Sequence, residues 1–391
     1  HPHPDSPLTF HLSSLSPSLS LPPSSSLPPA YALASTELMR VTNARGTSDN
    51  LHNSRADLYK LGPSGLLLGA MGLWNSRDNV FTSPKEQGCR QKPCTSPDYR
   101  LENVAAVLGG GPYGPSDGLH FLNARLIHRS CRSDGVLLKT DRPLAMTDAA
   151  LLVNFDATFR SSSSSSSGGG GGGGDEAAWV GHVWATATNV GSLRWSYVLS
   201  IDTTSDLLMT LASLEATPGR DYLLWEFWAT NGTGAPRHAT PISAKGGDFV
   251  VPKSPPASAL LPPSSAGRYQ ILVPVLANGW SFLGEIEKIV PVSAHRFRSI
   301  TEVAAGLRAT VHAASGERVA VWVLTPSATK AAFHSGAAGA SEGGAAAVPI
   351  APMEVVCAAP TCKGEDCETK MSLFCDFTVL ETCTCGVASI Y

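Results

Sequence analysis

The sequence predicts an α/β region followed by an antiparallel β-sandwich and a Cys-rich tail, and three observations carry that prediction. Over residues 35–150, short apolar runs alternate with segments of helical spacing, the pattern of parallel strands joined by helices. After residue 175 come short segments rich in Val, Trp, Tyr and Phe, punctuated by Gly, Pro, Asn and Asp. Cys357, Cys362, Cys367, Cys375, Cys383 and Cys385 then crowd the end of the chain.

Taken in order, residues 1–34 read as a disordered Ser/Pro-rich leader. They lack a basic start, and Ser and Pro break the apolar core that a signal peptide needs. Leu38 to Thr42 reads as a short strand, 55–61 as a helical turn, and 65–74 as a fully buried strand or helix. LENVAAVL (101–108) has helical spacing, GGGPYGPSD (109–117) reads as a strand end entering a loop, and LNARLIHRSC (122–131) is helical again.

Residues 151–334 read as the β-sandwich, with a Ser/Gly insertion at 161–174 that cannot pack a core. Its strands are expected within AAWVGHVWATATNV, RWSYVLSID, DYLLWEFWATN, GDFVV, RYQILVPVLA, SFLGEIEKIVPVS, LRATVHAA and RVAVWVLTP. Trp179, Trp184, Trp195, Trp225, Trp228 and Trp280 in this region read as core before they read as sugar platforms. Residues 335–356 read as a linker without secondary structure, and 357–391 as the tail.

Composition excludes some functions. A net charge of -3 without a basic stripe argues against a nucleic-acid partner. No apolar run approaches the roughly 18 residues that span a bilayer. The tail holds neither a CxxC pair nor a histidine, which disfavours zinc, so neither a metal nor another cofactor is expected. A disulfide knot fits better, Cys89 and Cys94 are also expected in disulfides, and this implies an oxidising compartment. The sequon Asn231-Gly232-Thr233 marks Asn231 for glycosylation, and secretion is expected.

Two loops carry the candidate chemistry: Trp74-Asn75-Ser76-Arg77-Asp78-Asn79, and Gly109 to Gly118. In a parallel α/β barrel the carboxyl ends of the strands carry the site. Asp78 and Asp117 would then face one pocket, with Arg77, Asn79 and Trp74 at its wall, binding sugar hydroxyls through short acids and amides. Asp beside Gly and Ser also caps helices and shapes turns, and spacing alone does not separate the two readings. The glycine run matches neither phosphate-binding fingerprint, and Ser116 in GPSDG is no nucleophile elbow. His120 and His128 read as capping or solvent-facing, and Glu285 and Glu287 as the exposed face of one strand.

The series Arg40-Val41-Thr42, Leu66-Leu67-Leu68-Gly69, Asp78 with Phe81, Gly109-Gly110-Gly111-Pro112 with Ser116-Asp117, Asp134-Gly135-Val136-Leu137-Leu138 and Arg142-Pro143 resembles the raffinose synthase and alkaline α-galactosidase family. The resemblance implies the C-terminal part of a (β/α)8 barrel over roughly residues 37–145, followed by the sandwich, in a protein related to enzymes that process α-galactosyl groups. It places Asp78 and Asp117 at the ends of strands seven and eight, against bound sugar. It also implies that the nucleophile strand would precede residue 35, where this chain has its leader. At the family's acid/base position the chain has Ala44. A retaining glycosidase needs two carboxyl groups about 5–5.5 Å apart, so the expectation is an inactive chain, with a glycan as partner and other chains completing the barrel. The alternative is a carbohydrate-binding or extracellular structural glycoprotein without enzymatic activity.

Overall fold

The computed structural model describes residues 41–47, 60–77, 79–85, 99–154, 181–227, 236, 238–245, 247–254, 267–304, 306–338, 347–359 and, as backbone, 371–378 and 384–389. Among them the fold is mixed, with most strands in antiparallel sheets.

The first part is parallel. Strand β1 (Asn43–Arg45) pairs with β2 (Trp74–Ser76) through the crossover helix α1 (Leu61–Ala70). Helix α2 (Tyr99–Gly109) then returns the chain, so that Gly110 pairs in parallel with Asn75. Parallel neighbours need such crossovers because their ends lie at opposite edges of the sheet. The 65–74 segment, left open as strand or helix, divides into the end of α1 and the start of β2. LGPSGLLLGA contains no β-branched residue, and Pro63 sits in the first turn, where a missing N–H costs nothing. A short helix α3 (Ala124–His128) follows, capped by the Asn123 side chain accepting from Leu126 N at 3.1 Å.

The second part is antiparallel. Its strands are β3 (Ala145–Met146), β4 (His182–Val190), β5 (Leu193–Ile201), β6 (Leu207–Thr210), β7 (Tyr222–Glu226), β8 (His238–Ile242), β9 (Asp248–Val251) and β10 (Gly267–Pro274). They continue with β11 (Ser281–Gly284), β12 (Phe297–Val303), β13 (Gly306–Ala313), β14 (Arg318–Leu324), β15 (Val348–Pro349), β16 (Met353–Ala358), β17 (Met371–Thr378) and β18 (Thr384–Ser389). A seven-stranded sheet has the order β15-β8-β7-β10-β5-β4-β3, and smaller sheets join β11-β14-β16, β12-β13-β17-β18 and β6-β9.

The two parts share one core. On one face of β5, Trp195, Tyr197, Leu199 and Ile201 meet Leu61 of α1 and Leu101, Val104 and Leu108 of α2. On the other, Val198 meets Leu207, Met209, Phe249 and Val251 of the β6–β9 pair. The buried aromatic tips find backbone partners: Trp195 Nε1 donates to Phe282 O at 2.9 Å, Tyr197 to Val292 O at 2.6 Å, and Tyr269 to Ile289 O at 2.5 Å. Trp184, Trp195 and Trp225 are fully enclosed. Strand β3 lies inside the 35–150 region yet pairs with β4.

Several expectations change. The 335–356 stretch is not a bare linker: helix α4 (Pro326–Ala338) enters it, β15 pairs with β8, and β16 pairs with β14. The 357–391 tail is not a separate knot, because Cys357 belongs to β16 while β17 and β18 extend the sheet from β13. Ladder hydrogen bonds to β8, β13 and β14 place these segments. Residues 285–290 form turns rather than a strand; Glu285 is buried and Glu287 exposed. The leader and the 161–174 insertion lie outside the described residues.

Candidate functional site

Strand alternation sorts the residues of the parallel pair. Ala44 packs with Leu68 and Leu73, and Asn75 donates from Nδ2 to Leu61 O at 2.9 Å, so both face α1. Successive strand residues point to opposite sides. Asn43, opposite Trp74, and Arg45, opposite Ser76, therefore form a two-by-two array on the other face. A carboxyl at position 44 would therefore meet Leu68 and Leu73.

The glycine-rich loop runs beside β2 in one continuous register. Asn75 pairs with Gly110, Val80 with Pro115, and Thr82 N reaches the Asp117 carboxylate. The steps 75 to 110, 80 to 115 and 82 to 117 are the same sequence separation. Val80 N donates to Gly114 O at 3.1 Å and Ser116 N to Val80 O at 2.9 Å. The ladder lapses around Pro112, which has no N–H to give. Arg77 and Asn79 lie in that gap.

Most of the polar groups at these loops hold the fold. Asp117 accepts from Thr82 N at 3.0 and 2.9 Å, from Thr82 Oγ1 at 2.7 Å and from Ser83 N at 3.1 Å. Thr82 Oγ1 also accepts from Asn123 N at 2.8 Å, tying in the start of α3. Asn103 of α2 donates to Phe81 O at 2.7 Å and Tyr99 O at 2.6 Å, and accepts from the Tyr113 hydroxyl. Burial, and then the Asp117 charge, push the Tyr113 hydroxyl well above the ordinary phenol pKa. Arg77 is enclosed and pairs with Glu102 of α2 at 3.1 Å.

The expected gathering of Asp78, Asp117, Arg77, Trp74 and Asn79 around one pocket is therefore not what the described residues form. Asp117 is taken up by the 82–83 loop and Arg77 by α2. Asn79 is half-buried, and Asp78 lies outside the described residues. Trp74 stays on the array face, but its six-membered ring rests against Gly110, where a Cβ would collide with it. The Lys139 ammonium lies 4.1 Å from the indole centroid, so the ring is stacked on protein, not left as an open sugar platform.

A second charged cluster lies where residues 132–134 meet β12, β13 and the β13–β14 turn. Arg296, enclosed, donates from Nε to Glu285 at 2.7 Å, from Nη1 to His312 O at 2.6 Å and to Glu317 at 2.9 Å, and from Nη2 to Glu317 at 2.7 Å. Glu317 also accepts from Ser133 N at 3.0 Å and Ala314 N at 2.8 Å. Burial raises the Glu317 pKa, but the Arg296 hydrogen bonds and charge and these two N–H donors outweigh it and hold the carboxyl at about 2. Burial outweighs Arg296 at Glu285 and pushes that carboxyl up. The cluster locks the parallel part to the sheets.

Sequence reasoning missed Asn103, Lys139 and Arg296. Asn103 could have been found as the amide inside the apolar face of LENVAAVL, and Lys139 as the charge closing Val136-Leu137-Leu138. Arg296 gave no local signal, since its partners are distant in sequence. His120 is exposed at φ 73, and exposed His128 accepts at its carbonyl from Lys288 Nζ at 2.7 Å.

Cys357 is disulfide-bonded, and Cys131 is a buried free thiol. Cys375 stands opposite Cys385 in the β17–β18 register. Cys89, Cys94, Cys362, Cys367, Cys383 and Asn231 lie outside the described residues. Among the described residues, no group of three or more His, Cys, Asp or Glu is placed to hold a metal, and no helix is long and apolar enough to cross a membrane. Compared with known proteins, the chain matches no family model and no curated protein.

Proposed function

We propose that this chain is a secreted relative of α-galactosyl-processing glycoside hydrolases that binds a glycan without cleaving it. The observation that carries the reading is the succession β1–α1–β2–α2–Gly110, which pairs in parallel and in chain order as the closing part of a barrel would. Its acid position holds Ala44 turned toward α1, and Asp117 is spent on the 82–83 loop. Loss of the general acid alone costs about 10²–10⁴-fold in rate.

β1 has β2 on one side only among the described sheets, which agrees with a further stretch of barrel, from this protein or a second chain, pairing at its outer edge. The disulfide at Cys357 agrees with an oxidising compartment, in which the remaining tail cysteines and Cys89 and Cys94 would pair and Asn231 would carry its glycan. Incubation of the purified chain with a nitrophenyl α-galactoside tests the catalytic part of the reading. The expected rate of nitrophenol release is that of buffer; robust release abolished by Asp78→Asn would overturn it.

A further inference from the structure

The array face of the parallel pair carries Asn43, Arg45, Trp74 and Ser76, and Lys139 lies over the indole from the 137–140 segment. These residues comprise two cations, an amide, an indole and a hydroxyl, with no carboxylate among them. Lys139 is half-buried and makes no ion pair among the described residues. Among the described residues, two acids of the neighbouring 134–141 stretch are engaged elsewhere: Asp134 is bound by Arg132, and Asp141 accepts from Asn189 N at 2.7 Å and Asn189 Nδ2 at 2.9 Å. Arg132 and Lys139 also both bear on His295, whose imidazole pKa is lowered by burial and then by those two charges.

We infer that this face binds the acidic group of a charged saccharide, with Lys139 as the anion contact and Asn43 as a hydroxyl contact. The inference rests on the glycan-binding reading above and names the class of glycan. A partly desolvated ammonium whose only described Nζ partner is an indole is stabilised by an arriving anion, because Coulomb attraction is strong where water is thin. Burial alone holds the Lys139 ammonium below the ordinary lysine pKa, as expected of a cation without a counter-charge. A neutral galactose would leave that charge unmatched, whereas a galacturonate, the same ring with a carboxylate at its end, would match it.

The test compares galactose with galacturonate on the whole chain by ligand-observed NMR titration. Galacturonate is expected to bind about tenfold more tightly at low salt, an advantage that shrinks as ionic strength rises. Lys139→Met should abolish the advantage, and Lys139→Arg should retain it. Equal affinity of the two sugars, with galactose binding intact, would overturn this inference and leave the glycan-binding reading standing. Binding of neither sugar would overturn both. Should Lys139→Met fail to fold, the salt series on the unsubstituted chain and Lys139→Arg still decide, since an advantage indifferent to salt contradicts the charge contact.

Discussion

Replacing Asp117 separates the two roles that its place in the sequence allows. Its carboxylate serves three donors, Thr82 N, Thr82 Oγ1 and Ser83 N, and Thr82 itself is fully buried. Asp117→Ala leaves all three without their acceptor. Each orphaned buried donor costs about 1–3 kcal/mol. Asp117 is half-buried, so water recovers part of the loss, and the expected destabilisation is about 2–4 kcal/mol. Asp117→Asn keeps one oxygen for the two amides and loses mainly the hydroxyl contact, so about 1–2 kcal/mol is expected. Urea unfolding followed by circular dichroism gives both values, and hydrogen exchange should show the Thr82 and Ser83 amides losing protection first. Sugar affinity of the folded variants should be unchanged. An unaltered unfolding midpoint together with lost sugar binding would refute the reasoning and return Asp117 to the sugar.

Two further perturbations probe the same fold. Glu317 sits at about 2 against an ordinary 4.5, so its contribution to stability is present above the unfolded value and is lost as pH falls from about 4.5 toward 2. Glu285, shifted upward, acts in the opposite sense, and Glu317→Gln should flatten the fall of the urea midpoint over that window; an unchanged slope would contradict the Arg296 lock. In α1, a Cβ at Gly65 runs into the Leu144 carbonyl, whereas one at Gly69 stays 3.3 Å from the Pro143 ring. Gly65→Ala should cost about 1–3 kcal/mol despite a helix-propensity gain of about 1 kcal/mol, and Gly69→Ala should be near neutral. Equal midpoints for the two variants would contradict the close packing of α1 on the 144–145 backbone.

How much of this was legible in the sequence depended on whether the signal was local. Helix α2 was readable because Leu101, Val104 and Leu108 recur at helical spacing, and β4, β5 and β10 because β-branched and aromatic residues fill them between turn residues. Helix α1 was ambiguous, since a run of Leu and Gly lacks the period that separates a buried helix from a buried strand. Strands β16 to β18 were illegible because pairing with β13 and β14, not side-chain pattern, places them. At the candidate site, the order of strand, helix and loop was readable from the alternation of segments. The use of Arg77 and Asp117 was not, because Glu102 and the Thr82 amide are brought to them only by the fold. Ala44 shows the limit from the other side: its identity ruled out an acid, but its orientation toward α1 was visible only in three dimensions.

The claim that this chain holds a glycan and leaves it intact is tested most directly in one tube. Saturation-transfer NMR of a nitrophenyl α-galactoside with the whole chain reports contact, while nitrophenol absorbance reports cleavage. Transfer to the sugar protons with absorbance no higher than in buffer is the predicted result. Absence of transfer, or release of nitrophenol that Asp78→Asn abolishes, would contradict it.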